Sequence, residues 1–371
     1  MHDPLAAFDA LLADATRLDD FLLAWPNSPL TKAGDDRAVL WFTGAAQQVA
    51  VQGDMEPHTA LPLTRLGTTD FWYFVGQYEA DARLDYRLIV DGVGQLDPRN
   101  PRQVPSGYDP KSYFVMPGYR APDVIAPRIG IERGWLVGVD DWVSEAYPST
   151  RDLYIYTPPR HDATRRYPVA FFHDGGDYVE YAGATTIIDN LIAAGRIPPL
   201  IAVFVQPSKE WGRVADYDLN EQYVQLICDE LLPWVDARLP LDPDPARRAI
   251  IGASFGGLIA LLIGARRPDL WGNVVTQSGF VGRQADAVLD MLKAAPASLR
   301  IHAIIGSYEC NVTPQLGSAE ADFLAGNRRL HEVLGTHGYP HVYQEFHEGH
   351  SWGLWQAQLG AALEFCFAAA V

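Results

Sequence analysis

Cysteine is nearly absent from these 371 residues: Cys228, Cys310 and Cys366 are the only three. They stand too far apart for a C-x-x-C redox or metal motif, and an odd number argues against a disulfide framework, so the thiols are expected to be reduced. Cys310 is read as a small half-buried filler, although it adjoins a candidate acid described below. Positive charge is short as well, with 29 Lys and Arg against 46 Asp and Glu, a net charge of −17. Nucleic acid is therefore excluded as a partner, since that binding rests on basic surface, and an anionic ligand needs a local cluster of Arg or Lys. No run of about eighteen apolar residues is free of charge, which excludes a membrane-spanning helix, and no membrane partner is expected. Met1-His2-Asp3-Pro4 offers no basic segment ahead of an apolar run, so no signal peptide is expected and the cytoplasm is the expected compartment. Internal repeats and low-complexity tracts are missing too, and at this length two domains, each with its own core, are the default.

What is present divides by period. Apolar residues at Leu5, Phe8, Leu11, Leu12, Ala15, Leu18, Phe21 and Leu22 recur at helical spacing, which predicts one amphipathic helix over 4–24. Past Pro26 the period shortens. Ala38–Thr43, Gln48–Gln52, Phe71–Gln77 and Leu84–Val90 read as strands joined by Gly, Asp and Asn turns, a small immunoglobulin-like β-sandwich. Asp97-Pro98-Arg99-Asn100-Pro101 halts regular structure, and a linker near 117–126 separates a first domain, 1–120, from a second, 127–371. There, strands are predicted at 129–136, 152–157, 167–173, 200–205, 247–252, 273–277, 300–305 and 341–346. Helices are predicted at 183–194, 219–237, 255–266, 283–293, 319–336 and 352–369. Such alternation folds as a mostly parallel, doubly wound α/β sheet.

The chemistry is concentrated in Ile251-Gly252-Ala253-Ser254-Phe255-Gly256-Gly257, where an apolar strand meets an apolar helix across a serine flanked by glycines. A serine on so tight a turn is strained, and flanking side chains would collide with strand or helix, so the segment reads as the nucleophile elbow of an α/β-hydrolase. Gly349-His350-Ser351-Trp352-Gly353 fits the same G-x-S-x-G pattern, but only twenty residues follow Ser351, and the order Ser, acid, His leaves it no partners. A serine hydroxyl needs a base, and the base needs an acid to fix its tautomer. His350 lies in a Gly-containing loop after the last predicted strand, where this order delivers its histidine; His347, at the strand end, is the weaker candidate. Read as an H-x-x-H pair, the two lack a third metal ligand, so neither metal nor cofactor is expected. Glu309, in the turn after the preceding strand, is the expected acid, in either an essential or a supporting role because Ser-His dyads also cleave esters. Glu320 and Asp322 fall in a predicted helix. The oxyanion donors are expected to be the amides of Phe255 and, in His173-Asp174-Gly175-Gly176-Asp177-Tyr178, of Gly176.

Taken together, Asp174-Gly175, Glu230-Leu231-Leu232-Pro233, Gly252–Gly257, Gln277-Ser278-Gly279, Gly306–Glu309 and Gly349-His350-Ser351-Trp352 resemble the enterochelin (ferric enterobactin) esterases. Leu40-Trp41-Phe42, Phe71-Trp72-Tyr73, Tyr86-Arg87 and Asp97–Pro101 extend the resemblance over nearly the whole chain. It implies an α/β-hydrolase behind a β-sandwich, a serine esterase acting on a small-molecule ester, the trilactone of a ferric catecholate siderophore. The chain departs from that family at Ser351, where Asp or Asn is common, at Gly176, where Gln or Asn is, and around Asp216 and Tyr217, where a Glu is expected. In the family these positions belong to the substrate shell, so they bear on the ester more than on the reaction. A ferric catecholate is anionic, which calls on Lys209 and Arg213, with Arg160 or Arg196 nearby. Asp174, Gly175 and Trp352 complete the expected substrate contacts; Trp211 is a further stacking surface, and Trp72 is expected in the core. Rival readings are a feruloyl or acetyl esterase of plant polysaccharide, an acyltransferase with the same residues, and a binding protein whose hydrolase half is a relic. The resemblance also implies that the front domain shapes the pocket.

Overall fold

Ala38–Phe42 and Phe71–Val75 are apolar without a break, too apolar for a sheet wetted on one face. The computed structural model, which describes residues 3–107, 109–282, 286–294, 299–310 and 322–368, shows both faces of that sheet covered. Its N-terminal half holds β1 (Leu30–Thr31), β2 (Arg37–Thr43), β3 (Val49–Gly53), β4 (Glu56–Pro62) and β5 (Thr64–Arg65). β6 (Phe71–Gln77), β7 (Arg83–Val90), β8 (Val93–Gln95), β9 (Gln103–Val104) and β10 (Lys111–Val115) follow. One sheet runs β1-β2-β6-β5, the other β4-β3-β7-β10-β9 with β8 on β7. Along β2, Ala38, Leu40 and Phe42 enter the core between the sheets with Val51, Leu84, Leu88 and Phe114. Val39 and Trp41 point the other way, against Leu5, Phe8, Leu11 and Phe21 of the N-terminal helices.

Those helices differ from the single one expected over 4–24. Pro4–Ala13 and Leu18–Ala24 are separated by a 3₁₀ turn at Ala15–Arg17. Asp14 makes the break: it is extended at φ −147, and its carboxylate accepts the Thr16 N–H at 3.1 Å, a local bond that competes with helix continuation. β4 escaped the periodicity because Pro57 and Pro62 disguise it, as prolines on an edge strand do. By contacts, these elements form one compact unit, residues up to Arg120, which also takes in the segment opening at Gly306 and Phe346–Trp352.

The second unit comprises Ala121–Ile305, Asp322–Glu345 and the chain from Gly353. It is built on β11 (Trp135–Ser144), β12 (Ser149–Thr157), β13 (Val169–His173), β14 (Ile201–Val205), β15 (Arg248–Ala253), β16 (Asn273–Gln277), β17 (Arg300–Gly306) and β18 (His341–Phe346). The eight-stranded order is β11-β12-β14-β13-β15-β16-β17-β18. β12 runs antiparallel to both its neighbours, and β14, β13, β15, β16 and β17 run parallel. Ile301 N–H meets Pro340 O and Ser307 N–H meets Phe346 O, so β18 starts and ends beside β17 in the same direction. β13 to β16 are buried at every residue, as strands covered on both faces must be.

Three expectations shift. The strand placed at 129–136 begins only at Trp135, because Gly130 at φ 80 turns the chain first. The helix over 219–237 is Glu221–Gln225, a π-helical stretch Leu226–Leu231 and Leu232–Asp236; Pro233 cannot donate to the carbonyl four back, and the wider turn absorbs the loss. Short helices at Gly175–Glu180 and Gly212–Tyr217 are additional. The later helices run Asp286–Ala294, Phe323–Thr336 and Trp352–Phe367; positions 283–285, 319–321 and 369 of their predicted spans lie outside the described residues.

Candidate active site

Each candidate catalytic side chain follows the carboxyl end of a parallel strand of one sheet: Ser254 after β15, Glu309 after β17, His350 after β18. The loop after β13 contributes Asp174, Gly175 and Gly176. Ligands of open α/β sheets bind outside that edge.

Ser254 sits at φ 57 and ψ −122, a costly conformation for a residue with a Cβ. Neighbouring backbone holds it there. Its N–H donates to Gln277 O at 2.9 Å, and its carbonyl accepts from Phe280 N at 3.0 Å and Leu258 N at 3.1 Å. Glycine is required at 252, since a Cβ would strike the backbone of Gly256. Phe255 opens the helix Phe255–Arg266, so its N–H has no intrahelical carbonyl to bond and lies at the positive end of the helix dipole. An oxyanion needs such a donor.

Across the sheet, Asp174 is left-handed at φ 54 and Gly175 lies against the backbone of Phe204 and Val205, leaving no room for a side chain. Asp174 is buried, and its Oδ1 accepts from Arg213 Nε at 2.8 Å. Arg213 Nη2 also donates to Ala253 O at 3.1 Å. One guanidinium thereby ties the proposed oxyanion loop to the residue before Ser254. The Gly176 N–H donates to Gln206 Oε1 at 3.2 Å, and the Gln206 amide fills the volume that a side chain at 176 would take. Beneath them His173 lies 2.9 Å from Tyr223 Oη; burial pushes its pKa down to about 3, with Arg151 and Arg213 acting in the same sense. It is neutral at physiological pH.

Glu309 and His350 meet within the first unit, Oε2 to Nδ1 at 2.6 Å. Glu309 is fully buried, and its Oε1 accepts the Gly306 N–H at 2.8 Å. One oxygen thus anchors the acid to its own turn, and the other holds the imidazole with Nδ1 protonated and Nε2 as proton acceptor. The alternatives are engaged elsewhere. His347 Nδ1 is 2.6 Å from Asp81 Oδ1, the Ser351 hydroxyl accepts from Arg83, and Asp322 caps a helix through the Ala325 N–H. Glu320 lies outside the described residues. Among the described residues, no group of three or more His, Cys, Asp and Glu is placed to hold a metal ion.

The expected anion-binding residues carry acidic partners. Lys209 pairs with Asp141 at 2.8 Å and Asp152 at 2.6 Å, Arg160 with Glu132, Arg196 with Glu364 and Asp123, and Arg213 with Asp174. Trp211 is exposed and donates to Pro148 O at 3.0 Å, Trp352 is buried, and Trp72 packs in the sandwich core. Asp216, one of the departures from the resembled family, is fully buried on Arg151 at 2.9 Å. Gln206, Arg151 and Arg83 carry no motif and were not found from sequence; their partners lie 30, 65 and 268 positions away.

A family model described as "Putative esterase" matches residues 144–366. The chain is 25% identical to the iron(III) enterobactin esterase of Dickeya dadantii over 83% of its own length and 80% of that protein. The structure resembles that of ferric enterobactin esterase from Salmonella typhimurium with a TM-score of 0.79 at 19% identity, covering 94% of this chain and 98% of the other. It also resembles a ferulic acid esterase from Anaeromyces mucronatus, with a TM-score of 0.53 at 20% identity over 66% of this chain and 94% of that one.

Proposed function

Since the chain belongs to this esterase family and so hydrolyses carboxylic esters, we propose that it is a serine esterase for the ester backbone of a catecholate siderophore. Ser254 Oγ attacks the ester carbonyl while His350 Nε2 takes the hydroxyl proton and returns it to the leaving alcohol. Water then cleaves the acyl-enzyme by the same route. Glu309 orients the imidazole and stabilises its charged form. The Phe255 and Gly176 amides receive the oxyanion, the latter once Gln206 Oε1 gives way. The observation that carries the reaction is the 2.6 Å Glu309–His350 pair, its members following β17 and β18 of the sheet in which β15 leads into the strained Ser254.

The substrate class rests on the Dickeya relative, whose similarity extends over more of the chain than the family model spans. One observation favours a second reading, an uncharged aryl ester of the feruloyl type: Lys209, Arg160, Arg196 and Arg213 are each neutralised by a carboxylate in a chain of net charge −17. Turnover by wild type and Ser254→Ala on a short-chain nitrophenyl ester, a feruloyl ester and ferric enterobactin separates these claims. Cleavage of ferric enterobactin, lost in Ser254→Ala, supports the siderophore reading. Cleavage of the feruloyl ester alone transfers the proposal to the second, and full activity in Ser254→Ala refutes the nucleophile.

A further inference from the structure

The loop that carries His350 is fastened to the start of β7. The Arg83 N–H donates to His347 O at 3.0 Å, and Arg83 pairs with Glu348 as a parallel bridge. His347 is bonded to Asp81, and Tyr308, beside Glu309, packs on the sandwich core and donates to Glu79 Oε2 at 2.6 Å. Residues 79–83 therefore grip both the turn of the acid and the loop of the base.

The grip closes on buried charge. Arg83 Nη1 lies 2.9 Å from Asp85 Oδ1 and 3.6 Å from Glu348 Oε2, and it donates to Ser351 Oγ at 3.5 Å. The Arg83 side chain is 6% exposed, Asp85 2% and Glu348 3%. The Tyr113 ring covers the guanidinium at 4.4 Å, and Asp54 Oδ2 accepts the Asp85 N–H at 2.8 Å. Gly349 lies so near Asp54 that any side chain there would strike its carboxyl. One guanidinium thus reaches the residues two before and one after His350. A buried network of this kind contributes less to stability than to holding a single geometry.

Resting on the reading of His350 as the base, we propose that Arg83 is a positioning residue: by holding Glu348 and Ser351 it fixes the direction of the His350 ring. Arg83 acts through His350 and touches no substrate. The β-sandwich is then part of the catalytic machinery, because the start of β7 supplies the anchor. The charged and titratable groups that face Arg83 or its partners are Asp54, Asp85, Glu348, Lys111, Tyr113 and Tyr119.

The test uses the full chain and a short-chain nitrophenyl ester, with Arg83→Met and Arg83→Lys made alone and on top of His350→Ala. A misdirected base costs on the order of 10–100-fold in kcat at unchanged KM. Arg83→Met is expected to show that loss with a displaced pH profile, Arg83→Lys to recover part of it, and both to cost nothing further once His350 is gone. An Arg83→Met enzyme within about twofold of wild type in kcat, or a loss of equal size with and without His350, overturns the proposal. Should Arg83→Met not fold, Arg83→Lys keeps the buried cation and decides alone: a several-fold kcat loss that vanishes without His350 supports the role, and wild-type kcat or an additive loss refutes it. Ser254→Ala, measured beside them, keeps the two claims apart. Activity persisting there refutes the esterase site itself, whereas its loss together with an additive Arg83 effect refutes only the positioning role.

Discussion

Arg213 makes two bonds that a bound anion would have to break, one to Asp174 Oδ1 at 2.8 Å and one to Ala253 O at 3.1 Å. Its guanidinium therefore serves the shape of the site. Arg213→Met should lower kcat by about 10–100-fold for neutral and anionic esters alike, because both the loop before Gly176 and the elbow lose their tie. The stability cost should be about 1–2 kcal/mol, less than the 3–5 kcal/mol of a broken buried pair, since the Arg213 side chain is 34% exposed. Steady-state kinetics on a matched neutral and anionic ester check this; a rise in KM confined to the anionic one would mark Arg213 as a substrate ligand instead. The proposed triad was legible in the chain because flanking glycines, strand ends and chain order are all local or sequential signals. The clamp was not, because Asp174 and Ala253 stand 39 and 40 positions from Arg213. A loop arginine has the same local signature whether it is free or bonded.

At the scale of elements, the buried strands β13, β14 and β15 were legible because an unbroken run of four to six apolar or glycine residues between turn signals has few other solutions. Positions where a single residue overrides the period were not: the Asp14 carboxylate splits a helix, and the missing N–H of Pro233 widens one. The link between β12 and the helix Gly212–Tyr217 is of the same hidden kind. Arg151 Nη1 bonds Asp216 Oδ2 at 2.9 Å and its Nη2 bonds Ser149 Oγ at 2.7 Å, while Asp216 Oδ2 also accepts the Ser208 N–H at 2.8 Å. Burial raises the pKa of Asp216 and Arg151 opposes it. Both side chains are fully buried, so Arg151→Met leaves an unpaired carboxylate and should cost about 3–5 kcal/mol in urea unfolding. Arg151→Met combined with Asp216→Leu should recover most of that. A double variant as unstable as the single would show that packing, not charge, holds the two elements together.

Over the whole molecule, a single cut between 1–120 and 127–371 follows composition, but the fold returns to its first unit with the turn that carries Glu309 and the loop that carries His350. No linear signal marks such a return. It has a consequence for pH, because burial makes opposite demands on two histidines of the second unit and two carboxyls of the first. In the second, burial pushes His173 down to about 3 and His302 to about 4 from 6.5; the folded chain refuses protons that the unfolded chain accepts, and stability present above pH 6.5 is lost as pH falls. In the first, burial pushes Glu348 up to about 8 from 4.5, outweighing Arg83 and aided by Asp85 and Asp54, and it pushes Asp54 up to about 6 from 3.8, aided by Asp85. There the folded state binds the proton more tightly, so stability present below pH 4.5 is lost as pH rises toward 8. Glu348→Gln stays neutral throughout and isolates this second effect from the histidines. Its stability relative to wild type should be nearly flat around pH 4 and should then climb with pH, at up to ~1.4 kcal/mol per pH unit while one carboxyl titrates. Paired thermal melts between about pH 4 and pH 9 measure it. A gap that does not change across that range would mean that Glu348 is ionised throughout in the folded protein, with Arg83 and not a proton balancing its charge.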